Sequence, residues 1–547
     1  MAFKALLRIL APYLLAIAAM LLAPLAYAIY VDHFADPFLY PQPPATFAFA
    51  LTFFIVLALA GLCHYFGRKS QGMLFRKEGV FAVVLIWTIT PMLGSLPFII
   101  SGTLEDPVHA FFEATSGFTT TGASVLTAKS YDAEGIEIPK RVRFQSELIV
   151  DYSFFGNIKP ILHEDGRIHL EGLDAVNRAI LFWRSMMQWL GGLGIVVLFV
   201  AVLPALGVGG KMLFHSEMTG PLKESLTPRI KETAMVLWKM YLGLTVVQVG
   251  MLLLFNPSMP IFNAVCTTFS TISTGGFSVV NGSIGGYNSP SVEWIVILFM
   301  ILGSINFSLY YYILKGKFFR LYDLELGVFL VIVLISGIFI SAQLVGTTDY
   351  FTSGAVGSDV TLSKAIRAGF FQAISAQTST GFATANFDKW PYNTQTLMLI
   401  LIYIGGMAGS TAGGMKVIRH IILFRVGQNK VESLFRPEAV KNLRIGQRSI
   451  DMSVAVTVLC FFLVVVALAV LGTFLLTLDG LDQETALAVI SSTINNSGMG
   501  FRAAGPTDSF TFLSDFGMIL SSLWMIMGRL EFFTVLVILV PSFWRND

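Results

Sequence analysis

Four stretches decide the fold: AFFEATSGFTTTG at 110–122, NAVCTTFSTISTG at 263–275, GFFQAISAQTSTG at 369–381 and ALAVISSTINNSG at 486–498. Each passes from an apolar half, through small polar residues, to a glycine. Aligned without gaps on Gly122, Gly275, Gly381 and Gly498, the preceding residue is Thr121, Thr274, Thr380 or Ser497, and the one before that is Thr120, Ser273, Ser379 or Asn496. Each stretch lies between two long apolar windows. It is too short and too polar at its end to cross a bilayer, yet its first half is as apolar as a buried helix. Non-helical backbone at membrane depth is stable where protein buries it or where it lines a water-filled cavity. The economical arrangement is a re-entrant loop, a half-helix entering from outside and an extended strand returning. A single such segment reads as a Ser/Thr/Gly turn between helices. Four in one register read as a pseudo-four-fold set around one axis.

The composition sets the same frame. Of 547 residues, 55% are hydrophobic and 13% charged, against roughly 25% charged in a soluble domain, and the mean hydropathy is +0.72. This is the composition of an integral membrane protein. The net charge of +2 gives no basic excess for nucleic acid and no acidic tail. Cys63, Cys266 and Cys460 lie far apart in apolar surroundings, which fits buried small hydrophobes better than a disulfide framework. The N-terminus is basic and then apolar like a signal peptide, but its apolar run lasts to Val31, too long for a cleaved segment of roughly 7–15 residues.

Ten windows are long enough, at roughly 20 residues, to cross the hydrocarbon: Ile9–Val31, Phe47–Gly67, Gly79–Gly102, Ser185–Gly210, Met240–Phe255, Trp294–Leu314, Leu326–Gly346, Thr394–Met415, Met452–Leu478 and Phe516–Trp544. The fifth can be extended by Thr233–Trp238, with Lys239 snorkelling. Lys and Arg gather in alternate turns, among them Arg68 to Lys77, Lys315 to Arg320 and Lys416 to Arg448. By the positive-inside rule those turns, and both termini, are cytoplasmic. The outer segment 128–175 is long, charged and partly alternating, which predicts a small β-rich cap. Its His163 and His169 could hold a metal, but the plainer reading is a solvated hairpin.

A glycine at the end of each re-entrant stretch frees the backbone to adopt φ > 0 and leaves no Cβ in the lumen. Rings of main-chain carbonyls can replace a cation's hydration shell, and the half-helices aim their partially negative C-terminal ends at the same place. Carboxylates, which Ca²⁺ or Mg²⁺ would want, are missing from the strands. A weakly hydrated monovalent cation is the expected occupant.

Carried by SGFTTTGAS, STISTGGFS, AQTSTGFAT, NNSGMGFRAAG, IGGMAGSTAGGMK and MGRLEFFTVLV, nearly the full length resembles the Trk/Ktr/HKT superfamily of potassium transporters, most closely its bacterial TrkH/TrkG branch. The resemblance implies an all-α polytopic fold of four helix–pore loop–helix repeats plus two N-terminal transmembrane helices. The expected units are 1–70 for that extension, then 71–210, 211–320, 321–430 and 431–547 for the repeats. It further implies a potassium filter at Thr120-Thr121-Gly122, Ser273-Thr274-Gly275, Ser379-Thr380-Gly381 and Asn496-Ser497-Gly498. Potassium is then the transported substrate, with no cofactor. A homodimer in the inner membrane and a cytosolic, nucleotide-binding TrkA-type regulatory subunit are the implied partners.

Within the eighth window, Gly405, Gly406, Gly409, Gly413 and Gly414, with Ser410 and Thr411, weaken the helix, each glycine by about 1 kcal/mol relative to alanine. Close packing through small residues is one reading. The resemblance supplies the other, an intramembrane gating loop beneath the filter. Arg529 stands about 20 Å into the last window, at 1.5 Å per residue, where a charge is expensive. It reads either as a barrier and gating residue or as half of a structural ion pair. Obligatory coupling to sodium or protons is the competing transport reading. An enzyme is not expected, because no acid, base and nucleophile cluster. The string GVGGK at 207–211 follows an apolar window and not a strand, so it is a poor phosphate loop.

Overall fold

The computed structural model describes residues 3–38, 40–68, 76–132, 134–145, 149–163, 167–192, 194, 230–347, 360–436, 444–445 and 448–545. The second half of the Ser185–Gly210 window, the boundary at 210/211 and the GVGGK string lie outside the described residues.

The fold is helical with a small β-rich cap. Helix α1 (Phe3–His33) and α2 (Thr46–Gly67) form the N-terminal hairpin. Asp32 fastens it: one carboxylate oxygen accepts the N–H groups of Ala45 and Thr46, both at 2.8 Å, and the other accepts from Asn177 at 3.0 Å. The remaining main described helices run in four successive groups, each called a repeat after the short helix it contains; the first is α3 (Arg76–Ile100), α4 (Pro107–Phe118) and α5 (Arg178–Gly192). The second comprises α6 (Ile230–Phe255), α7 (Ile261–Ile272), α8 (Pro290–Ser304) and α9 (Phe307–Leu314). The third comprises α10 (Leu324–Leu344), α11 (Leu362–Gln377), α12 (Tyr392–Ile404) and α13 (Val417–Ser433). The last comprises α14 (Met452–Leu478), α15 (Gln483–Ile494), α16 (Asp515–Arg529) and α17 (Phe533–Leu539).

The short helices α4, α7, α11 and α15 span 12 to 16 residues, too few for the bilayer. Aspartates start two of them: Asp106 accepts from Val108 N–H at 2.7 Å beside Pro107, and Asp482 accepts from Thr485 N–H at 3.0 Å. A carboxylate and a proline are both favoured at this end of a helix. One apolar cluster runs through Trp183 and Met187 of the first repeat to Val489 and Trp524 of the last, so the ends of the chain order share a core.

Among the described residues, six of the ten apolar windows are single helices long enough to span. The fifth is extended as expected, from Ile230, with Lys239 exposed. Two windows read as continuous are broken. The sixth bends by 92° between α8 and α9, and the tenth by 117° between α16 and α17. At the first break the carbonyls of Gly303 and Ser304 accept N–H groups of Thr411 and Met407, and Asn306 starts the new helix by accepting from Ser308 N–H at 2.9 Å. At the second, Glu531 and Phe532 adopt φ of 56° and 35°. Neither break carries a proline; Ser304 and Asn306 stand at the first and Arg529 and Glu531 at the second, within windows that are otherwise apolar. The eighth window is not one helix either. Helix α12 ends at Ile404, and residues 405–416 are irregular until α13 begins.

Within 128–175 the described residues form three two-stranded antiparallel hairpins, β1–β2 (Ser130–Tyr131, Glu137–Ile138), β3–β4 (Lys140–Gln145, Ile149–Phe154) and β5–β6 (Ile161–Leu162, Ile168–Leu170). The central hairpin docks on the last repeat. Tyr152 Oη donates to Asp482 at 2.5 Å, and Val142 and Phe154 pack on Ala503. Burial, with the Asp482 carboxylate beside it, pushes the Tyr152 hydroxyl up to about 12, so it remains a donor. The His163 and His169 rings lie 4.2 Å apart between centroids, and among the described residues no third ligand joins them.

Candidate functional site

Each short helix ends in the same backbone figure. Thr120, Thr274, Ser379 and Asn496 take φ of 55°, 53°, 52° and 51°. Two residues on, Gly122, Gly276, Gly381 and Gly498 take φ of 86°, 81°, 84° and 65°. Between them, the N–H groups of Thr121, Gly275, Thr380 and Ser497 donate back to the carbonyls of Ser116, Ser270, Ser375 and Ser492 at 2.8–2.9 Å. A left-handed residue with a side chain costs of order 1–3 kcal/mol and persists only where its surroundings over-determine it. Four such residues at equivalent places mark a built site.

This figure corrects the alignment of the second stretch. Anchoring on Gly275 is one residue early, and the structural counterpart of Gly122 is Gly276. The strand is therefore Thr274-Gly275-Gly276, with Ser273 as the cap of α7. A serine signals the true register. Ser116, Ser270, Ser375 and Ser492 each stand six residues before the left-handed glycine, a spacing visible in the sequence once the serine is taken as anchor.

The four strands close a ring. A Cβ on Gly122 would strike the carbonyl oxygen of Gly275, one on Gly276 that of Thr380, one on Gly381 that of Ser497, and one on Gly498 that of Thr121. The order runs first to second to third to fourth and back to first. All four glycines are partly exposed and line one cavity of about 400 Å³, whereas Gly275 is buried behind it.

Side chains that the sequence reading did not single out brace the strands. Gln188 of α5, fully buried, donates to the carbonyl of Gly275 at 2.6 Å and accepts the N–H of Phe277 at 3.0 Å. Glu113 of α4 and Arg184 of α5 form an ion pair at 2.5 Å, with side-chain exposures of 0% and 3%. Glu113 also accepts Val125 N–H at 2.9 Å, while Arg184 donates to the carbonyl of Ser278 at 2.8 Å and lies 3.7 Å over the Phe277 ring. In the fourth strand the Asn496 amide donates to Thr121 Oγ1 at 3.0 Å and to the carbonyl of Met525 at 2.8 Å.

The irregular segment 405–416 lies against the same strands. Thr411 Oγ1 donates to the carbonyls of Ile272 at 3.0 Å and Gly303 at 2.9 Å. Ser379 Oγ accepts Gly413 N–H, and the carbonyl of Asn495 accepts Gly414 N–H at 3.0 Å. Gly405, Gly409 and Gly414 have φ of 72°, 72° and 71°, and a Cβ on Gly405 would meet Gly414 Cα at 2.9 Å, so the segment folds tightly on itself. Gly406 packs on Ala412 and Ser304, and Ser410 Oγ donates to the carbonyl of Met407 at 2.6 Å.

Arg529, the last residue of α16, ties this segment to the first repeat. It donates to the carbonyl of Thr411 at 3.1 Å, to that of Gly192 at 2.9 Å and to that of Gly191. Glu531 instead pairs with Arg419 of α13 at 2.6 Å, and Arg419 lies 4.0 Å over the Phe461 ring. The contacts described for Arg529 are thus with loop and helix-end carbonyls.

Comparison with known proteins fits this geometry. Residues 164–545 match the family model for TrkH, described as a cation transport protein. The chain is 35% identical over 506 residues to the Trk system potassium uptake protein TrkH of Salmonella typhimurium, covering 91% of this chain and 92% of that one. It is 32% identical over 516 residues to the Trk system potassium uptake protein TrkG of Escherichia coli, covering 93% and 94%. The crystal structure of the potassium transporter TrkH from Vibrio parahaemolyticus superposes with a TM-score of 0.78 at 31% identity, over all of both chains.

Proposed function

The chain belongs to the TrkH family of cation transport proteins, and from that membership we propose that it takes up potassium through the ring of four strands, with the segment 405–416 as its gate. The observation that carries the reading is the cyclic contact of Gly122, Gly276, Gly381 and Gly498, each with a carbonyl of the next strand in the ring. Backbone oxygens stand in for the ion's water there. The four short helices end at the strands and add their partially negative C-termini.

The filter comprises Thr120-Thr121-Gly122, Thr274-Gly275-Gly276, Ser379-Thr380-Gly381 and Asn496-Ser497-Gly498, with Ser273 behind the second strand. The membrane potential drives the ion inward, supplying about 2.3 kcal/mol per charge per 100 mV. In the closed state the loop from Gly405 to Gly414 lies against the inner ends of the second, third and fourth strands, and Arg529 presents a positive charge to an approaching cation.

The protein works in the bacterial inner membrane with both termini inside, as a homodimer, and a cytosolic nucleotide-binding subunit of the TrkA type moves the loop. Potassium is substrate, and the site needs no further cofactor. Potassium and sodium flux into vesicles reconstituted with the full chain tests the reading. Potassium flux with little sodium flux supports it, and loss of that discrimination in a G276A variant ties it to the ring. Proton or sodium movement in fixed ratio to potassium would instead establish obligatory symport.

A further inference from the structure

Resting on the reading of 405–416 as a gate, we propose that Glu325 is the latch that holds the gate shut. Glu325 is the second residue of α10 and is 7% exposed. One of its carboxylate oxygens accepts two backbone N–H groups, from Ala408 at 2.8 Å and from Ile418 at 3.1 Å. Ala408 belongs to the irregular segment, and Ile418 is the second residue of α13, so this single oxygen joins the two sides of the loop.

The loop has its own inner fastenings, Val417 N–H to the carbonyl of Gly406 at 3.0 Å and Met415 N–H to that of Tyr403 at 3.1 Å. These tie the loop to itself. The carbonyls of Gly303 and Ser304 on α8 hold Thr411 and Met407, and Glu325 adds a tie from a separate spanning helix that reaches Ala408 and Ile418 at once. Hydrogen bonds to an ionised acceptor are roughly twice as strong as neutral ones, and the first turn of a helix favours a negative charge. The helix thus fixes the carboxylate and the carboxylate fixes the loop.

Arg529 acts at another point of the loop, on the carbonyl of Thr411. The loop is therefore held by a carboxylate that accepts its N–H groups and by a guanidinium that donates to its carbonyl. The exposed turn just before α10, with Lys315, Lys317 and Arg320, is continuous with the latch. A partner that displaces this turn withdraws the carboxylate from Ala408 and Ile418 and frees the loop. Glu325 touches neither ion nor filter strand, and is a positioning residue.

The test is basal potassium flux in vesicles carrying the purified full chain alone, comparing the unaltered protein with E325A, E325Q, E325L, E325D and R529A, together with cytoplasmic thiol labelling of a cysteine placed at Ser410. E325A should raise both flux and labelling about tenfold, the shift expected for losing one charged hydrogen bond. E325Q, which keeps an acceptor oxygen, should return both toward the unaltered level, and E325L, a side chain of similar size with no acceptor, should not, which separates the hydrogen bonds from packing. If R529A raises flux while E325A leaves flux and labelling unchanged, the latch is wrong and the gate stands. If neither raises flux, the gate reading falls and the latch with it. Should E325A fail to accumulate as folded protein, E325D decides, because it draws the oxygen back by one methylene: raised flux supports the latch and unchanged flux overturns it.

Discussion

The Arg529 guanidinium donates to the carbonyl of Thr411 across 3.1 Å, and the same side chain holds the carbonyls of Gly191 and Gly192. A cation reaching from the last repeat thereby joins the loop of the third repeat to the inner helix of the first. Charged hydrogen bonds are worth about 1.5–3 kcal/mol each, and each 1.4 kcal/mol is about a factor of ten in population. R529A should raise basal potassium flux about tenfold or more. R529K, which cannot span three carbonyls with one planar fork, should fall between. Vesicle flux at matched protein density measures it, and flux equal to the unaltered protein would remove Arg529 from the gate.

Gly275 and Gly276 should respond differently to the same methyl group. At Gly276 the Cβ meets the main chain of Thr380, which cannot step aside, and its φ of 81° already disfavours a side chain. At Gly275 the Cβ meets the Gln188 amide, with Oε1 at 2.7 Å. G276A should abolish discrimination between potassium and sodium. G275A should impair it less, and G275A/Q188A should recover part of the loss. Flux ratios for the three variants check this, and an unaffected G276A would displace the second strand from the ring.

The two halves of the site were unequally legible in the sequence. Four stretches and the weakness of the eighth window as a helix could be read from glycine, hydroxyl residues and the apolar pattern, because each encodes a local backbone preference. The register of the second stretch could not be read from glycine alone. STGG offers two adjacent candidates, and only the six-residue spacing from Ser270 picks Gly276. The break after α8 was invisible because long-range contacts make it: the loop's N–H groups take the carbonyls of Gly303 and Ser304. The buried charges Glu113, Arg184 and Glu325 were passed over for the same reason, since their partners lie far along the chain.

Gln188 braces the second strand with both ends of its amide, donating to Gly275 and accepting from Phe277. Losing it leaves a buried N–H on Phe277 without its acceptor, at about 1–3 kcal/mol. Q188A should lower thermal stability in detergent by that order and blunt potassium over sodium discrimination. Q188E retains an acceptor for Phe277 but not the donor for Gly275, so it should restore stability better than selectivity. Equal loss of both properties in the two variants would reduce Gln188 to packing.

The pair Glu113–Arg184 sits behind the first and second strands at almost no exposure. Removing one member of a buried pair strands the other charge and costs about 3–5 kcal/mol, whereas replacing both by apolar groups of similar size costs far less. E113A and R184A should therefore each unfold or severely destabilise the protein, and E113L/R184M should recover most of the lost stability. The double variant should not recover selectivity, because Arg184 also holds the carbonyl of Ser278 and stacks on Phe277, and Glu113 holds Val125 N–H. Melting temperature and flux ratio measured on one set of variants separate the two roles. A double variant that regains both would show that the pair supplies stability alone.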